Sequence, residues 1–282
     1  MPGRPFGGRN NFTVPCYTPV ANASKACRVM IQDSAGITDP GCVRPSNQDR
    51  ILLDDTLGLY AVCDGVGGRR GGSVAAELAV QVIRQYIEAS QDPKDVTWPY
   101  GYNLAMSFGG NRLVTAVKLA NRQVWRRSEE SIEFLGMGTT ISAVLIEGSA
   151  VVAVNIGDSR AYLFRDGGLI QMTIDDTAGG APAGTADAPP QPALHPAIHG
   201  VLTRAAGSRE DAEVHLKQCP LENGDAMLLC SDGLHGCVSV EAMATILKSA
   251  KNAAAAAGSL VEAAKQAGAP DNVSALVVRW GG

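Results

Sequence analysis

The 282-residue sequence lacks several kinds of segment that would narrow its function at once. No uncharged apolar run approaches the roughly 18 residues of a membrane-spanning helix, and the first residues contain no apolar signal core. There is no run of basic residues, and the formal net charge is -4. Because nonspecific nucleic-acid binding depends on neutralising phosphates with Lys and Arg, this charge argues against a nucleic-acid partner. We therefore expect a soluble, unexported protein with no membrane or nucleic-acid partner.

The seven cysteines are odd in number and include no Cys-x-x-Cys pair. Cys63 and Cys230 lie inside apolar runs typical of strands, where a small buried residue fits. This usage favours reduced thiols over a zinc site or a catalytic cysteine. Together with the missing signal core, it predicts a cytoplasmic protein.

The composition predicts one large domain behind a loose amino-terminal tail. A chain of 282 residues, of which 45% are hydrophobic, can bury a full core as one domain. Residues 1–24 are rich in Gly, Pro, Asn and Ser without a hydrophobic period, which predicts a flexible tail. The folded domain is predicted over residues 25–282. Its Ala/Pro/Gly-rich segment at about 176–200 predicts a mobile flap.

The first half of the domain predicts a hairpin followed by two helices. Apolar runs at 51–53 and 59–63 place Asp64 at a strand end. Ser73 is predicted to cap a helix, and a second helix is predicted from residue 111 to about 130. The repeating apolar residues are Val74, Leu78, Val82 and Tyr86 in the first helix and Leu113, Val117, Ala120 and Val124 in the second.

The second half predicts more strands and a second helix pair. Because runs of strands alternate with helix pairs, the pattern favours an α+β fold whose antiparallel sheets have helices packed outside them. The first four strands are closely spaced and predict an antiparallel meander. The predicted strands are 139–146, 151–156, 160–165, 168–172, 201–205, 226–230 and 273–280, and the predicted helices are 240–250 and 252–266.

Four short acidic motifs stand at the ends of apolar runs, far apart in the sequence. A cation that prefers oxygen needs carboxylates or carbonyls that converge from different parts of a fold, and strand ends allow such convergence. Taken singly, each motif is typical of a turn, since Asp-Gly and Asp-Asn pairs form turns readily. Taken together, they predict one metal site. The motifs cover residues 44–49, 63–65, 231–233 and 270–272.

The full set of motifs resembles the metal-dependent protein serine/threonine phosphatases of type 2C, the PPM family, and especially its bacterial members. The resemblance runs from about residue 27 to 280. It implies a four-layer α-β-β-α sandwich, with two antiparallel sheets flanked by helix pairs. The matching segments, in the family's order, are 44–49 (RPSNQD), 62–68 (VCDGVGG), 136–140 (GMGTT), 156–160 (IGDSR), 202–205 (LTRA), 229–234 (LCSDGL) and 270–273 (PDNV).

The resemblance implies a site for two Mn2+ or Mg2+ ions. Asp64 is expected to bridge the ions, the Gly65 backbone carbonyl to bind one of them, and Asp232 and Asp271 to complete the ligands. Asp158 is expected to help bind a third ion together with Asp232, with a turn-forming role as the alternative. Two ions lower the pKa of a bridging water, so that hydroxide can attack phosphorus without a covalent protein intermediate.

Arg44 and Asp49 complete the implied catalytic residues. Arg44 matches the family's phosphate-binding arginine, whose planar fork suits nonbridging oxygens, and a solvated loop arginine is the alternative. Asp49 corresponds to a carboxylate near the metal-bound waters, while Gln48 stands where animal relatives often carry glutamate. Val66 stands where animal members often have a histidine that protonates the leaving oxygen. The sequence therefore predicts no protein general acid at that position.

The implied activity is hydrolysis of phosphoserine and phosphothreonine on proteins, with substrates of a serine/threonine kinase as partners and a monomeric enzyme. Two alternatives stay open: a phosphoprotein-binding pseudophosphatase and a hydrolase of small phosphate esters. The intact carboxylates disfavour the first. The glycine run at 67–72 lacks the spacing of a nucleotide-binding loop. Solvent or loop contacts are predicted for His195, His199 and His235.

Overall fold

The computed structural model of the chain describes residues 31–67, 70–178 and 202–281. The predicted tail at 1–24 and most of the predicted flap at 176–200 lie outside the described residues, so both stay predictions. The described residues form two five-stranded antiparallel sheets and one small two-stranded sheet. None of the helices in these ranges is long and apolar enough to cross a membrane.

The two large sheets, called sheet I and sheet II, each draw strands from both halves of the chain. Sheet I contains, in spatial order, β1 (Ile31–Asp39), β12 (Val273–Trp280), β11 (Ala226–Cys230), β8 (Arg160–Arg165) and β9 (Gly168–Gln171). Sheet II contains β10 (His215–Pro220), β7 (Ala150–Ile156), β6 (Ile141–Glu147), β3 (Leu59–Cys63) and β2 (Arg50–Asp54). The small sheet pairs β4 (Gly65–Val66) with β5 (Gly138–Thr139).

Central strands are apolar on both faces because both faces are covered. In β3, Val62 packs between the sheets, whereas Ala61 packs against the first helix pair. In β11, Leu229 packs between the sheets, whereas Leu228 packs against the second pair. The layers are thus helix, sheet, sheet and helix, as the α+β sandwich prediction required. The helices are α1 (Gly71–Ala89), α2 (Phe108–Glu130), the short α3 (Asp232–His235), α4 (Val240–Ser249) and α5 (Ala253–Gln266).

The predicted meander is wrong at its centre, because β7 belongs to sheet II and β8 to sheet I. The chain crosses between sheets at Gly157, whose φ of 97° is a conformation that favours glycine. The Gly157 N–H donates to Asp176 Oδ2 at 3.0 Å, which anchors the crossing. Asp158 therefore sits where the chain passes from one sheet to the other.

The start of α1 differs from the prediction. Ser73 is not its cap: the helix begins at Gly71, and the Ser73 hydroxyl lies in the first turn, where it donates to the Arg70 carbonyl at 3.0 Å. The helix can begin early because Gly72 has no side chain. A Cβ at that position would stand only 2.6 Å from the Gly65 carbonyl oxygen.

The buried stripe of α1 also differs from the predicted one. Ala75, Ala79, Ile83 and Ile87 are fully buried, whereas the predicted repeat that begins at Val74 is only partly buried. Alanine lets helices approach closely but contributes little to a hydrophobic pattern. The prediction therefore followed the larger residues at the edge of the buried face. The four residues predicted to face the core from α2 are all buried.

Several elements escaped the sequence analysis because their residues are largely polar. β1 and β10 both contain charged residues, and each lies at the edge of its sheet. The predicted strand at 201–205 is wrong over its described part. Leu202 forms only an isolated bridge to Thr177, and residues 203–205 form no strand.

We predict that Ser107→Ala lowers the free energy of unfolding by about 1 kcal/mol, because the Ser107 hydroxyl caps α2 by accepting from the Gly110 N–H at 3.0 Å. Ser73→Ala is the matched control and should change the free energy of unfolding by only a few tenths of a kcal/mol. Urea denaturation followed by tryptophan fluorescence measures both. Equal losses in the two variants would contradict the assignment of the caps.

Candidate active site

Residues from all four acidic motifs meet in one cleft at an end of the sandwich, and Asp158 joins them. Asp64 follows β3, Asp158 lies between β7 and β8, Asp232 follows β11, and Asp271 precedes β12. Both sheets therefore contribute carboxylates to the cleft. The cleft is lined by Arg44, Pro45, Ser46, Gln48, Asp64, Gly65, Val66, Gly67, Thr140, Asp158, Leu202, Asp232, Asp271 and Asn272.

Thr140 fixes the backbone at Asp64. The Asp64 N–H donates to Thr140 Oγ1 at 3.0 Å, and the Asp64 carbonyl accepts from the Thr140 N–H at 2.8 Å. Thr140 Oγ1 also lies 2.6 Å from Ser159 Oγ, beside Asp158. One threonine thus links the segments that carry two of the carboxylates. The sequence analysis noted Thr140 only as part of a motif.

Asn272 fixes the segment that carries Arg44. Its side-chain amide donates to the carbonyls of Pro40 and Ser46, both at 3.0 Å, and its Oδ1 accepts from the Gln48 N–H at 2.8 Å. The motif predicted a metal ligand at Asp271 but no structural role for Asn272. The Asp-Asn pair was visible in the sequence, but the distant partners of Asn272 were not.

The carboxylates raise one another's pKa. Burial raises the pKa of Asp64 well above its ordinary value, and the negative charges of Asp49, Asp232, Asp271 and Asp158 raise it further. For Asp232 the causes are burial and then Asp271. Burial, followed by the charge of Asp232, raises the pKa of Asp158 to about 6. The cleft therefore concentrates negative charge that favours a bound cation.

Asp49 lies behind the cleft and does not line it. It is fully buried, and its Oδ2 accepts from Ser231 Oγ at 2.8 Å and from Ser274 Oγ at 2.6 Å. Burial raises its pKa to about 6, although both hydroxyl donors oppose that change. Asp49 is thus linked to the cleft through Ser231, the residue that precedes Asp232. The expectation that this carboxylate lies near the metal-bound waters stays a prediction.

Two buried carboxylate oxygens test whether these residues fit a cation. Oδ1 of Asp49 and Oδ1 of Asp232 receive no hydrogen bond from a donor group within the described ranges. The Asp64 carboxyl group lies within hydrogen-bonding reach of both side chains, a contact that requires a shared proton. A divalent cation removes that requirement, since it binds deprotonated carboxylate oxygens directly. The residues present therefore fit a metal site.

Arg44 forms a two-point contact with Asp271. Its Nε donates to Asp271 Oδ1 at 2.9 Å and its Nη2 donates to Oδ2 at 2.6 Å. This hydrogen bonding and the charge of Asp271 raise the pKa of Arg44. The guanidinium thus lies at the cleft with a specific partner, and its expected phosphate-binding role stays a prediction.

Among residues 31–67, 70–178 and 202–281, no three Asp, Glu, His or Cys side chains stand close enough to hold an ion as they are. Asp271 is turned toward Arg44, and the expected ligands include the backbone carbonyl of Gly65. The carboxylates thus share one cleft without forming a compact ligand set.

Gly67 lines the cleft and lies against Met137, while the close backbone approach beside the metals stays a prediction. Gly68, Arg69, His195 and His199 fall outside the described residues. His235 makes the loop contact predicted for it, since its Nε2 lies 3.0 Å from the Asp158 carbonyl oxygen. Burial, followed by the charge of Arg160, lowers the pKa of His235 to about 4.

Comparison with known proteins decides the family. The model of the family Protein phosphatase 2C matches residues 45–273 of this chain. The chain belongs to the protein phosphatase 2C family. The family and sandwich predictions are thereby confirmed, and so is the prediction of a protein phosphatase.

Similar proteins come from several bacteria. Serine/threonine phosphatase stp of Listeria welshimeri is 31% identical over 248 residues, covering 86% of this chain and 93% of that protein. PstP of Mycobacterium tuberculosis is 35% identical over 245 residues, covering 86% of this chain but only 44% of PstP. A crystal structure of the PstP catalytic domain in complex with two manganese ions has a TM-score of 0.72 and 31% identity, covering 89% of this chain and 98% of that domain.

We predict that Gly72→Ala destabilises this phosphatase by about 1 to 3 kcal/mol and lowers its activity, because the new Cβ displaces the Gly65 carbonyl, which it would approach to 2.6 Å. Gly168→Ala is the control, since the nearest atom to its Cβ lies 3.8 Å away. Urea denaturation and aryl phosphate hydrolysis measure the two effects. A Gly72→Ala protein that matches the control in both would contradict the close packing.

Proposed function

We propose that the cleft hydrolyses phosphoserine and phosphothreonine on proteins with two bound Mn2+ or Mg2+ ions. The observation that carries this proposal is the convergence of Asp64, Asp158, Asp232 and Asp271 on one cleft beside Arg44. The PstP catalytic domain, a structural neighbour, was solved with two manganese ions, which supports the choice of metal. When bound, such ions supply the acidity that activates water for attack on phosphorus.

In this proposal, Asp64 is shared between the ions, and the Gly65 carbonyl, Asp232 and Asp271 complete the ligands. Asp271 keeps ligating capacity despite its partners: Oδ1 accepts from Arg44 and from the Asn272 N–H at 2.8 Å, but Oδ2 accepts only from Arg44 among the described residues. A carboxylate oxygen has two lone pairs, so Oδ2 has one left for an ion. Asp158 and Asp232 would share a third ion.

Arg44 holds the nonbridging oxygens of the phosphate. Its side chain is 54% exposed, so the guanidinium is accessible to a substrate that enters from solvent. Two of its five N–H donors serve Asp271, which leaves further donors for phosphate oxygens. The contact with Asp271 also limits the rotamers of a long side chain and so reduces the entropy lost on binding.

Asp49 acts from behind the cleft as a positioning residue. Its Oδ2 joins Ser231, next to Asp232, to Ser274 on the neighbouring strand β12. The hydroxyl of Ser231 thereby keeps one orientation, and the start of α3 is held against β12. A buried acceptor with two hydroxyl donors suits this role better than contact with substrate.

The domain responsible is proposed to span residues 25–282 and to act as a monomer on phosphorylated proteins, which a serine/threonine kinase would supply. The sandwich described from β1 to β12 supports one domain. Retention of every expected carboxylate supports turnover over a pseudophosphatase role.

We predict that Asp232→Asn lowers Mn2+-dependent hydrolysis of a phosphothreonine peptide by at least about 100-fold, since even partners behind the ligands typically contribute 10- to 100-fold. A chelator should abolish activity. Asp166→Asn is the control, because this aspartate lies in a turn at φ 52°, which Asn also tolerates. Activity that ignores both the chelator and Asp232→Asn would rule out the metal mechanism.

We predict that an aryl phosphate is cleaved well under Mn2+, because its leaving group needs little protonation and Val66 offers no proton. Val66, for which the sequence predicted no general acid, lines the cleft. Steady-state rates with p-nitrophenyl phosphate and with a phosphoserine peptide make the comparison. Failure of the aryl substrate while the peptide is still cleaved would refute this account of the leaving group.

A further inference from the structure

The turn that carries Asp158 is anchored at three successive residues, each by a different part of the fold. Gly157 N–H donates to Asp176 Oδ2 at 3.0 Å, and Ser159 Oγ lies 2.6 Å from Thr140 Oγ1. The third anchor is the Asp158 carbonyl, which lies 3.0 Å from Nε2 of the His235 ring. The position of the Asp158 carboxylate therefore depends on contacts made by its own backbone.

The His235 anchor differs from the other two because it comes from the segment that carries Asp232. Asp232 is the first residue of α3 and His235 is the last. Residues three apart lie on one side of a helical turn, so the ring and the Asp232 carboxylate lie on the same side of α3. The hydrogen bond thus ties the Asp232 segment directly to the Asp158 turn.

The chemistry of the contact defines its direction. A backbone carbonyl can only accept, so the Nε2 atom of His235 must carry the hydrogen. The nearby guanidinium of Arg160 is directed elsewhere: it donates to both oxygens of Asp175 and to the Tyr162 hydroxyl at 2.9 Å. The imidazole is therefore the group that holds the Asp158 peptide against α3.

We infer that His235 is a positioning residue that sets the spacing between the Asp158 and Asp232 carboxylates, and through it the affinity for a cation these two residues share. The inference rests on the proposed function. It assigns His235 no contact with substrate. Groups that hold metal ligands in place commonly contribute about 10- to 100-fold to metal affinity.

Three substitutions separate the hydrogen bond from the bulk of the ring. His235→Phe keeps a ring but removes the donor, and His235→Asn keeps a polar group that is too short to reach. His235→Gln places an amide N–H near the position of Nε2. Cys237→Ala is the control, since Cys237 follows closely in the sequence but packs at the margin of the helix core instead.

Isothermal titration calorimetry of Mn2+ into chelator-treated protein gives the affinity without turnover. We expect the Phe and Asn variants to weaken the weakest Mn2+ site about 10-fold. The Mn2+ affinity of the Gln variant and of the control should remain within about 2-fold of wild type. The Mn2+ concentration for half-maximal aryl phosphate hydrolysis should move in parallel, with little change in the substrate KM. Near-UV circular dichroism verifies the fold of each variant.

The outcomes separate this inference from the proposed function. If wild type binds Mn2+ and folded Phe and Asn variants bind it equally well, the positioning role is wrong. A Gln variant as weak as the Phe variant would also overturn it, because the donor would then not matter. A wild-type protein that binds no Mn2+ would instead overturn the proposed function, and this inference with it.

Discussion

Repulsion between buried carboxylates is the constraint on which the rest of the site depends. Asp64 lies within hydrogen-bonding reach of Asp49 and of Asp232, in a region where burial already disfavours the charged forms of all three. Such a cluster persists only if donors or cations compensate it. Ser231 and Ser274 compensate Asp49, and Arg44 compensates Asp271. The remaining charge faces the cleft, where divalent ions can balance it.

The sandwich holds the carboxylates close together despite this repulsion. Each carboxylate stands at or near the end of a strand whose two faces are covered, so the backbone beneath it cannot relax away. The side chains of Thr140 and Asn272 then join the loops to one another through hydrogen bonds with backbone groups. Polar residues between the loops thus hold the site together, as apolar packing holds the sheets together.

Much of this could be predicted from the sequence, because strands buried on both faces leave long apolar runs and their ends are marked by acidic motifs. Asp64, Asp158, Asp232 and Asp271 were placed correctly in one cleft. The failures have physical causes. β1 and β10 are polar edge strands, Ala75 and Ala79 are too small to dominate a hydrophobic pattern, and the sheet crossing at Gly157 depends on Asp176, far along the chain. The full burial of Asp49 behind the cleft was not predicted, because it depends on strands that pack together only in the folded protein.

The dispersal of the ligands also links ion binding to folding. Asp64 and Asp158 come from segments that follow strands of sheet II, whereas Asp232 and Asp271 flank strands of sheet I. An unfolded chain holds these groups far apart and cannot present them to one ion. Ions that bind only the folded arrangement stabilise it by mass action, by about 2.7 kcal/mol at a hundred times the dissociation constant. Because the carboxylates repel one another when no cation is bound, the same residues oppose close packing of the two sheet ends in the free protein and favour it once ions are held between them.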